Sequence, residues 1–539
     1  MSDWWLESVF YQVYLPSFQD SDGNGIGDLR GVIERIDYFK ELGIDAIWIT
    51  PFYESPKVDN GYDISNHRAV DPAFGSMDDF EELILKTSQC NIKVVIDIIL
   101  NHTSDRHPFF LESRRSRNSP KRDWYIWHNA NPDGSPPNNW EGFEKSSWTY
   151  DKETNQYYYH FFYSEQPDLN WRNPEVVAEM FDVCNFWLNK GVAGLRLDAI
   201  NFLLEDEFLR DNPSVKELPE YLKNIFQFNQ LPKHTINQPG IHNLLKELRQ
   251  FIKSDNPEDP LLIGEIWVEK LEELRQYYGK NNNEIHLPFN FFLSSIQNLN
   301  ASTLYRRIKN FKEKLDRLPT TLVFSNHDFP RATTRYANEK NSDSIAKLLA
   351  ILVLTLPGVP FIYYGEELGM RDLPPKNIEE LRDKRGKLAW DSYKGRDGCR
   401  RPMEWDTSPN AGFTTGKPWL DVYPNYIKRN VAIQAANPDS VLNCYKNLLI
   451  MRRNSQALLK GSLELNDEDP AILSYWRKTK TDCLLMILNF DSQTHIYTLP
   501  SILNKFTSIE FSTHSDIPEK NTNYIQVRPF EGLILRLKA

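Results

Sequence analysis

The chain has 539 residues, of which 40% are hydrophobic and 25% charged, a balance typical of an ordinary globular protein. A formal net charge of −11 argues against binding nucleic acid through bulk electrostatics. No uninterrupted apolar run approaches the roughly 20 residues of a membrane span, and the first residues lack the pattern of a secretion signal. Five widely spaced cysteines predict free thiols in a reducing compartment, so we expect a cytoplasmic protein.

The first distinctive stretch is DSDGNGIGD, residues 20–28. An EF-hand loop needs a bidentate Glu at its twelfth position and an entering helix. Here the twelfth residue is Gly31, and the preceding FYQVYL favours a strand, so an EF-hand is excluded. The loop predicts instead a hard-cation site after a strand, with a solvated acidic turn as the alternative. The predicted ligands are the side chains of Asp20, Asp22, Asn24 and Asp28 and the backbone carbonyl of Ile26.

The chain then alternates between amphipathic and apolar segments. Apolar residues at helical spacing predict a helix over residues 29–42 that stops at Gly43, and the pattern repeats further along. Eight apolar runs with helical crossovers predict an α/β fold, a (β/α)₈ TIM barrel rather than a doubly wound sheet. The predicted strands are residues 10–15, 46–50, 94–100, 195–198, 261–267, 285–291, 322–324 and 359–364.

Two regions depart from this alternation. A segment rich in Trp, Tyr, Pro and Asn follows the third strand, and its length predicts a small functional domain over the C-terminal face of the barrel. From residue 461 short alternating runs predict a C-terminal antiparallel β-domain. The predicted division is barrel at residues 1–101 and 173–460, inserted domain at 102–172, a subdomain at about 371–430, and β-domain at 461–539.

Three acidic residues lie at the ends of different predicted strands, namely Asp198, Glu265 and Asp328. In a barrel such residues converge on one pocket. A single one is compatible with a salt-bridged strand end, but three together, with Arg196 two residues before Asp198, predict a reactive site. Two carboxylates on either side of a bond suit glycoside hydrolysis.

Five segments resemble, in order and spacing, the motif set of the α-amylase superfamily, and QPDLN resembles its oligo-1,6-glucosidase and α-glucosidase branch. The resemblance extends from VFYQVYLPSF near the N-terminus into the C-terminal β-domain. It implies a retaining enzyme acting on α-glucosidic bonds without an organic cofactor. The segments are DIILNH, QPDLN, GLRLDAI, GEIW and SNHD.

Transferred by position, the resemblance makes Asp198 the nucleophile, Glu265 the general acid/base and Asp328 the transition-state stabiliser. Arg196 lies on the same face of the strand as Asp198 and is expected to keep that carboxylate ionised. Apolar neighbours are expected to raise the pKa of Glu265. The substrate-binding residues implied are Tyr62, Asp63, His102, Arg196, Ala199, His327 and Arg400.

Two of these residues are expected to set the mode of action. Asp63 and Arg400 would pair at the pocket floor, bind the far hydroxyls of a terminal glucose and make the enzyme exo-acting.

Ala199 follows the nucleophile, where the family has a small residue or threonine with α-1,4 preference and valine with α-1,6 preference. The expected activity is therefore maltase-like, with glucosyl transfer.

Alternatives within the family remain open: an oligo-1,6-glucosidase, a trehalose- or sucrose-type disaccharide hydrolase, or a glucosyl-transferring isomerase such as trehalose synthase. The chain also departs from the family, with RRPMEWD in place of RTPMQWD and Asn66 in place of Asp. The resemblance implies that the loop at 20–28 holds a structural Ca²⁺. We expect small α-glucosides as partners, neither nucleic acid nor membrane, and a monomer or weak homo-oligomer.

Overall fold

A single sheet of eight parallel strands forms the centre of the computed structural model, which describes residues 3–214, 230–268, 270–315, 318–499, 506–516 and 523–537. Strands that are consecutive in sequence pair with each other, except for the sixth and seventh. The first strand also pairs with the eighth, as a closed cylinder requires. The predicted barrel is confirmed. Its strands are β1 Phe10–Val13, β2 Ala46–Ile49, β3 Lys93–Ile99, β4 Gly194–Asp198, β5 Leu261–Glu265, β6 Leu287–Phe289, β7 Thr321–Leu322 and β8 Val359–Tyr363.

Burial on both faces explains why these strands are almost continuously apolar. Inside the barrel, Phe10, Trp48, Phe289 and Phe361 pack together. The outward side chains pack against the surrounding helices in a second, larger core. The sequence therefore specifies the barrel through short, fully apolar strands joined by amphipathic helices.

The helices of the barrel follow the sequence pattern with one difference. The predicted helix over residues 29–42 is two helices, because Arg35 leaves helical geometry at φ −105° and ψ 12°. Asn173 caps the helix that begins at Pro174 by accepting from the N–H of Glu175. The α-helices include Leu29–Glu34, Ile36–Leu42, Met77–Gln89, Pro174–Asn189, Ile241–Asp255, Leu271–Gln276, Ala301–Leu315, Ala332–Tyr336, Ser342–Thr355, Val431–Ala436, Val441–Asn454 and Gln456–Lys460.

The chain between β3 and the helix beginning at Pro174 carries its own antiparallel sheet of three strands, Trp127–His128, Trp148–Asp151 and Gln156–Tyr159, and a short helix, Pro108–Ser113. A hairpin of Tyr53–Glu54 and Asn66–Val70 follows β2. After β8 lie the short helix Lys384–Leu388 and a 3₁₀ turn, Asp397–Arg400. These segments all lie in loops after barrel strands, the position where barrel enzymes build their sites.

The C-terminal region is antiparallel, as predicted. Ile472–Lys478 and Cys483–Asn489 form its central ladder, and Gly532–Leu537 completes the core on the other side. The sequence alternation predicts a last strand over residues 532–538, and residue 538 lies outside the described residues. Among the helices that the structure describes, none is long and apolar enough to cross a membrane. The remaining strands are Ser462–Leu465, His495–Thr498, Phe506–Ser512 and Tyr524–Val527.

Candidate active site

The three acidic residues predicted from the sequence border one pocket of about 590 Å³ that opens to solvent. Asp198 is the last residue of β4, Glu265 is the last residue of β5, and Asp328 follows β7. Parallel strands end at the same rim of a barrel, so residues far apart in sequence meet there. The lining residues are Asp59, Tyr62, His102, Phe143, Phe162, Asp198, Ala199, Glu265, Trp267, His327, Asp328, Arg385 and Arg396.

Arg196 organises the carboxylates beneath this pocket. Its Nη1 lies 2.7 Å from Oδ1 of Asp97 and 2.5 Å from Oδ1 of Asp198, and its Nη2 lies 2.8 Å from Oε2 of Glu265. The guanidinium is fully buried, so it and the three acids depend on one another for charge compensation. Burial raises the pKa of Asp97 to about 7 against the opposing charge of Arg196.

Asp198 and Glu265 form a coupled pair with unequal proton affinity. Burial raises the pKa of Asp198, and the charge of Arg196 acts against this rise, in the direction expected from the sequence. Burial raises the pKa of Glu265 well above its usual range, against Arg196 and with support from the charges of Asp198 and Asp328. The larger rise at Glu265 therefore favours the proton on Glu265, while Asp198 keeps its contact with the Arg196 guanidinium.

Asp328, unlike Glu265, is kept in its ionised form. Although burial acts to raise its pKa, His327, Arg396 and Arg400 hold it well below its usual range. Nη1 of Arg396 lies 2.9 Å from Oδ1 of Asp328, and Nη2 of Arg400 lies 3.3 Å from the same oxygen. A buried carboxylate with this partnership stays ionised at all working pH values.

The two predicted histidines both line the pocket, and both are neutral near pH 7. Burial lowers the pKa of His327 to about 3 and that of His102 to about 4. Nε2 of His327 lies 2.7 Å from the hydroxyl of Tyr62 and 3.2 Å from Oδ2 of Asp328. Nε2 of His102 lies 3.0 Å from the side-chain nitrogen of Gln166. Neutral imidazoles at these positions can exchange hydrogen bonds with sugar hydroxyls.

The predicted pair of Asp63 and Arg400 is not the one that borders the pocket. The carboxylate of Asp63 accepts hydrogen bonds from Ser55 and from the backbone N–H groups of Val58 and Asp59, so it stabilises a turn. Nε of Arg400 donates to the carbonyl of His327 at 2.8 Å. Both residues are buried outside the pocket lining.

The residues that meet at that end of the pocket are Asp59 and Arg396. Nη2 of Arg396 lies 2.7 Å from Oδ1 of Asp59 and the same distance from Oδ1 of Asp383. Gln166 donates to Oδ2 of Asp59 at 3.3 Å. Each of these two residues lies four positions before the residue predicted in its place. Sequence spacing could not distinguish them, because only the course of the loop decides which side chain faces the pocket.

Ala199 lines the pocket in a left-handed conformation, with φ 47° and ψ 41°. This geometry is uncommon for a residue other than glycine, and it directs the backbone N–H toward Oε2 of Glu265 at 3.2 Å. Sequence reasoning missed the aromatic wall of Phe143, Phe162 and Trp267. Phe143 and Phe162 lie in the insertion, whose high aromatic content was the signal but could not specify which rings face inward, whereas Trp267 follows β5.

The acidic loop at residues 20–28 lies apart from the pocket lining. Asp20, Asp22 and Asp28 each place a carboxylate oxygen within 4.8 Å of the others. Asp28 also caps the helix Leu29–Glu34 through the N–H of Gly31, and the Oδ1 of Asn24 accepts from the N–H of Ile26. Three convergent carboxylates with adjacent amide and carbonyl oxygens are a donor set that suits a hard cation such as Ca²⁺.

A protonated carboxylic acid beside a carboxylate, at the rim of a barrel, is the apparatus that cleaves a glycosidic bond. The fold and site define a glycoside hydrolase. The family profile described as alpha amylase, catalytic domain, matches residues 12–461, and the chain belongs to the α-amylase family.

Relatives of similar length support this assignment over the whole chain. An oligo-1,6-glucosidase of Bacillus cereus is 38% identical, with 99% of each chain covered. A probable α-glucosidase of Rhizobium meliloti (strain 1021) is also 38% identical, covering 92% of this chain and 91% of the relative. The crystal structure of the α-glucosyl transfer enzyme XgtA matches with a TM-score of 0.92 and 35% identity over 100% of both chains.

Proposed function

We propose that this protein is a retaining, exo-acting α-glucosidase. It releases the non-reducing terminal α-glucosyl unit of disaccharides and short oligosaccharides and also transfers that unit to other sugars. The observation that carries the proposal is the coexistence, in one pocket, of the Asp198–Glu265 pair and the charged pole formed by Asp59 and Arg396.

The unequal proton affinity of the pair supports a two-step reaction. In the first step an oxygen of Asp198 attacks the anomeric carbon while Glu265 gives its proton to the glycosidic oxygen, and the leaving sugar departs. In the second step Glu265 takes a proton from water, which attacks the glucosyl ester and frees Asp198. The contact of both carboxyl groups with the one guanidinium of Arg196 supports retention, because inversion needs the two groups about 6.5–9.5 Å apart with water between them.

The pole at Asp59 supports exo action. Asp59 and Arg396 present a carboxylate and a guanidinium at the pocket lining, and both groups bind vicinal hydroxyls well. A terminal glucose would be held there by its hydroxyls far from the scissile bond. Asp328, ionised and adjacent to Arg396, would stabilise the positive charge that develops on the sugar ring.

The linkage is assigned to α-1,4, as in maltose, from the small side chain of Ala199. A β-branched residue at φ 47° would be strained and would fill space beside the nucleophile. The second candidate is an oligo-1,6-glucosidase, favoured by the B. cereus relative. We further propose a structural Ca²⁺ at residues 20–28, held by the oxygens of Asp20, Asp22, Asn24, Ile26 and Asp28, and a cytoplasmic monomer or weak homo-oligomer.

Product analysis tests these assignments. Purified enzyme is incubated separately with maltose, isomaltose, sucrose, trehalose and trehalose 6-phosphate, and early products are followed by chromatography and proton NMR. We expect α-glucose to appear first and chiefly from maltose. Activity confined to another disaccharide, or a rearranged disaccharide as the main product, would retain the carboxylates but overturn the specificity.

Substitution of Ala199 tests its effect on linkage preference separately from its effect on stability. Ala199→Val should raise the ratio of isomaltose to maltose hydrolysis and lower Tm, because valine is strained in the left-handed region. Ala199→Gly serves as the matched control, since it removes the methyl group without strain and should leave the ratio low. An unchanged ratio in the valine variant would remove Ala199 from the account of specificity.

A further inference from the structure

Three consecutive residues after β8 contact three different parts of the active site. The buried carboxylate of Asp383 pairs with Arg396 at the charged pole. The next residue, Lys384, reaches the insertion that follows β3, and Arg385 lines the pocket with its guanidinium carbon 4.4 Å from the ring centre of Phe143. This tripeptide therefore connects the pole that would hold glucose with the wall formed by the insertion.

The contact of Lys384 with the insertion is electrostatic. Its Nζ lies 3.1 Å from Oε1 of Glu144 and forms a second ion pair with Glu165, and it sits 4.7 Å from the ring centre of Tyr163. Side-chain exposure is 21% for Lys384, 23% for Glu144 and 33% for Glu165. The three charges are therefore partly shielded from water, so their attraction exceeds that of a fully exposed pair.

We propose that Lys384, Glu144 and Glu165 form a latch that holds the insertion against the barrel and sets the length of substrate the pocket accepts. This inference rests on the proposed function. The latch closes the boundary between the insertion and the segment after β8, here called the seam, beside the pocket-lining residues Phe143 and Arg385. Without Lys384 the two glutamates repel each other and the seam widens at the pocket wall.

The position of Glu165 gives the latch a second effect. The next residue, Gln166, donates to Oδ2 of Asp59 at the pole and lies against His102. The backbone carbonyl of Glu165 also accepts from the N–H of Asp105 at 2.8 Å. The latch thus fixes a segment that touches the glucose end and the wall together, so that a disaccharide fits and longer chains meet the closed seam.

The test compares chain-length preference in Lys384→Met and Lys387→Met. Lys387 is exposed on the same short helix, so its variant is the matched control. The ratio of kcat/KM for a pentasaccharide to that for the disaccharide is measured in the α-1,4 and α-1,6 series. We expect Lys384→Met to raise this ratio about three- to fivefold, the range that one partly exposed ion pair supports, and Lys387→Met to leave it unchanged.

Salt and a second substitution test the electrostatic origin. High salt screens the latch, so it should raise the length ratio of the wild type and leave that of Lys384→Met unchanged. Glu165→Gln should raise the ratio less in the Lys384→Met background than in the wild type. Equal ratios in Lys384→Met, Lys387→Met and the wild type would overturn the latch.

Hydrogen exchange gives a readout that needs no substrate. Backbone amides near residues 144 and 165 should exchange faster in Lys384→Met than in Lys387→Met. If the wild type cleaves neither sugar series, the proposed function fails, and the exchange data still decide whether the latch exists. If neither the exchange rates nor the length ratio changes in Lys384→Met, the latch proposal is wrong and the proposed function still stands.

Discussion

Nη2 of Arg396 lies 2.7 Å from Oδ1 of Asp59, and these two residues, rather than Arg400 and Asp63, border the pocket at its charged end. Arg396 is almost fully buried and also serves Asp328, which its charge keeps ionised. One guanidinium therefore links the proposed glucose-binding carboxylate to the carboxylate that would face the reacting carbon. A change at Asp59 should be felt in both binding and chemistry.

Asp59→Asn should lower kcat/KM for the preferred disaccharide about 100-fold or more, because it removes a charged hydrogen-bond acceptor from the sugar. Asp63→Asn should act mainly on stability, by about 1–3 kcal/mol, because it weakens the acceptor of two backbone N–H groups in a buried turn. Steady-state kinetics and thermal unfolding measured on both variants distinguish the two roles. Catalytic loss in Asp63→Asn at unchanged Tm would reverse the assignment.

The proton on Glu265 predicts the shape of the pH profile. Activity needs Glu265 protonated and Asp198 ionised, so kcat/KM should fall on the acid side as Asp198 gains a proton and on the alkaline side as Glu265 loses one. Because the pKa of Glu265 is raised well above its usual range, the alkaline fall should come at a correspondingly high pH.

Glu265→Gln isolates this acid. We expect disaccharide hydrolysis to drop by about 10²–10⁴-fold, the usual contribution of a general acid. The loss in the glucosylation step should be much smaller for dinitrophenyl α-glucoside, whose leaving group needs no proton. With that substrate the alkaline limb should vanish and the acid limb should remain. An alkaline limb that persists would assign it to another group.

Glu404, which stands where the family usually has Gln, is buried, and no ion pair reaches its carboxylate among the residues that the structure describes. In the part of the chain that the structure describes, neither of its carboxylate oxygens has a hydrogen-bond partner. Arg401 does not pair with it, since Arg401 donates to the carbonyls of Leu373 and Asp421. Burial raises the pKa of Glu404 to about 8, against Arg331 and Arg429.

A raised folded-state pKa means that the stability contributed by Glu404 is present below the unfolded pKa of about 4.5 and lost as pH rises through 8. The free energy of unfolding of Glu404→Gln should therefore match that of the wild type at pH 4.5 and exceed it by about 4 kcal/mol at pH 8. Denaturant unfolding at several pH values measures this difference. Glu247→Gln, at an exposed position, serves as the control, and its free energy of unfolding should differ from that of the wild type by the same amount at every pH. A pH-independent difference for Glu404→Gln as well would mean that another group compensates the charge of the Glu404 carboxylate.

The acidic loop predicts a calcium effect on stability rather than on chemistry. Tm should rise with added Ca²⁺ as expected for a ligand that binds only the folded state, and it should fall with chelator. Activity at low temperature should change little, because the loop does not line the pocket. Asp22→Asn removes an exposed carboxylate without disturbing the helix cap at Asp28, and its Tm should no longer respond to Ca²⁺. Parallel losses of Tm and activity under titrated chelator would contradict a purely structural ion.

The sequence by itself determined the barrel and the acids at its rim. Both follow from local patterns. The strands β4 and β5 are short apolar runs, and Asp198 and Glu265 are their last residues. Parallel strands then bring those ends together without further information. The motif resemblance identified the chemistry for the same reason, since each motif lies within one strand end or loop.

Only the tertiary structure decided which loop residues face the pocket and where the proton resides. Asp59 and Asp63 share one loop four residues apart, and contacts with Arg396, more than 300 positions later, select the first. The raised pKa of Glu265 arises from burial and from Asp198 and Asp328, which are distant in sequence. The contact of Lys384 with Glu144 likewise joins residues on separate loops. Long-range packing, which no local pattern encodes, fixes these details.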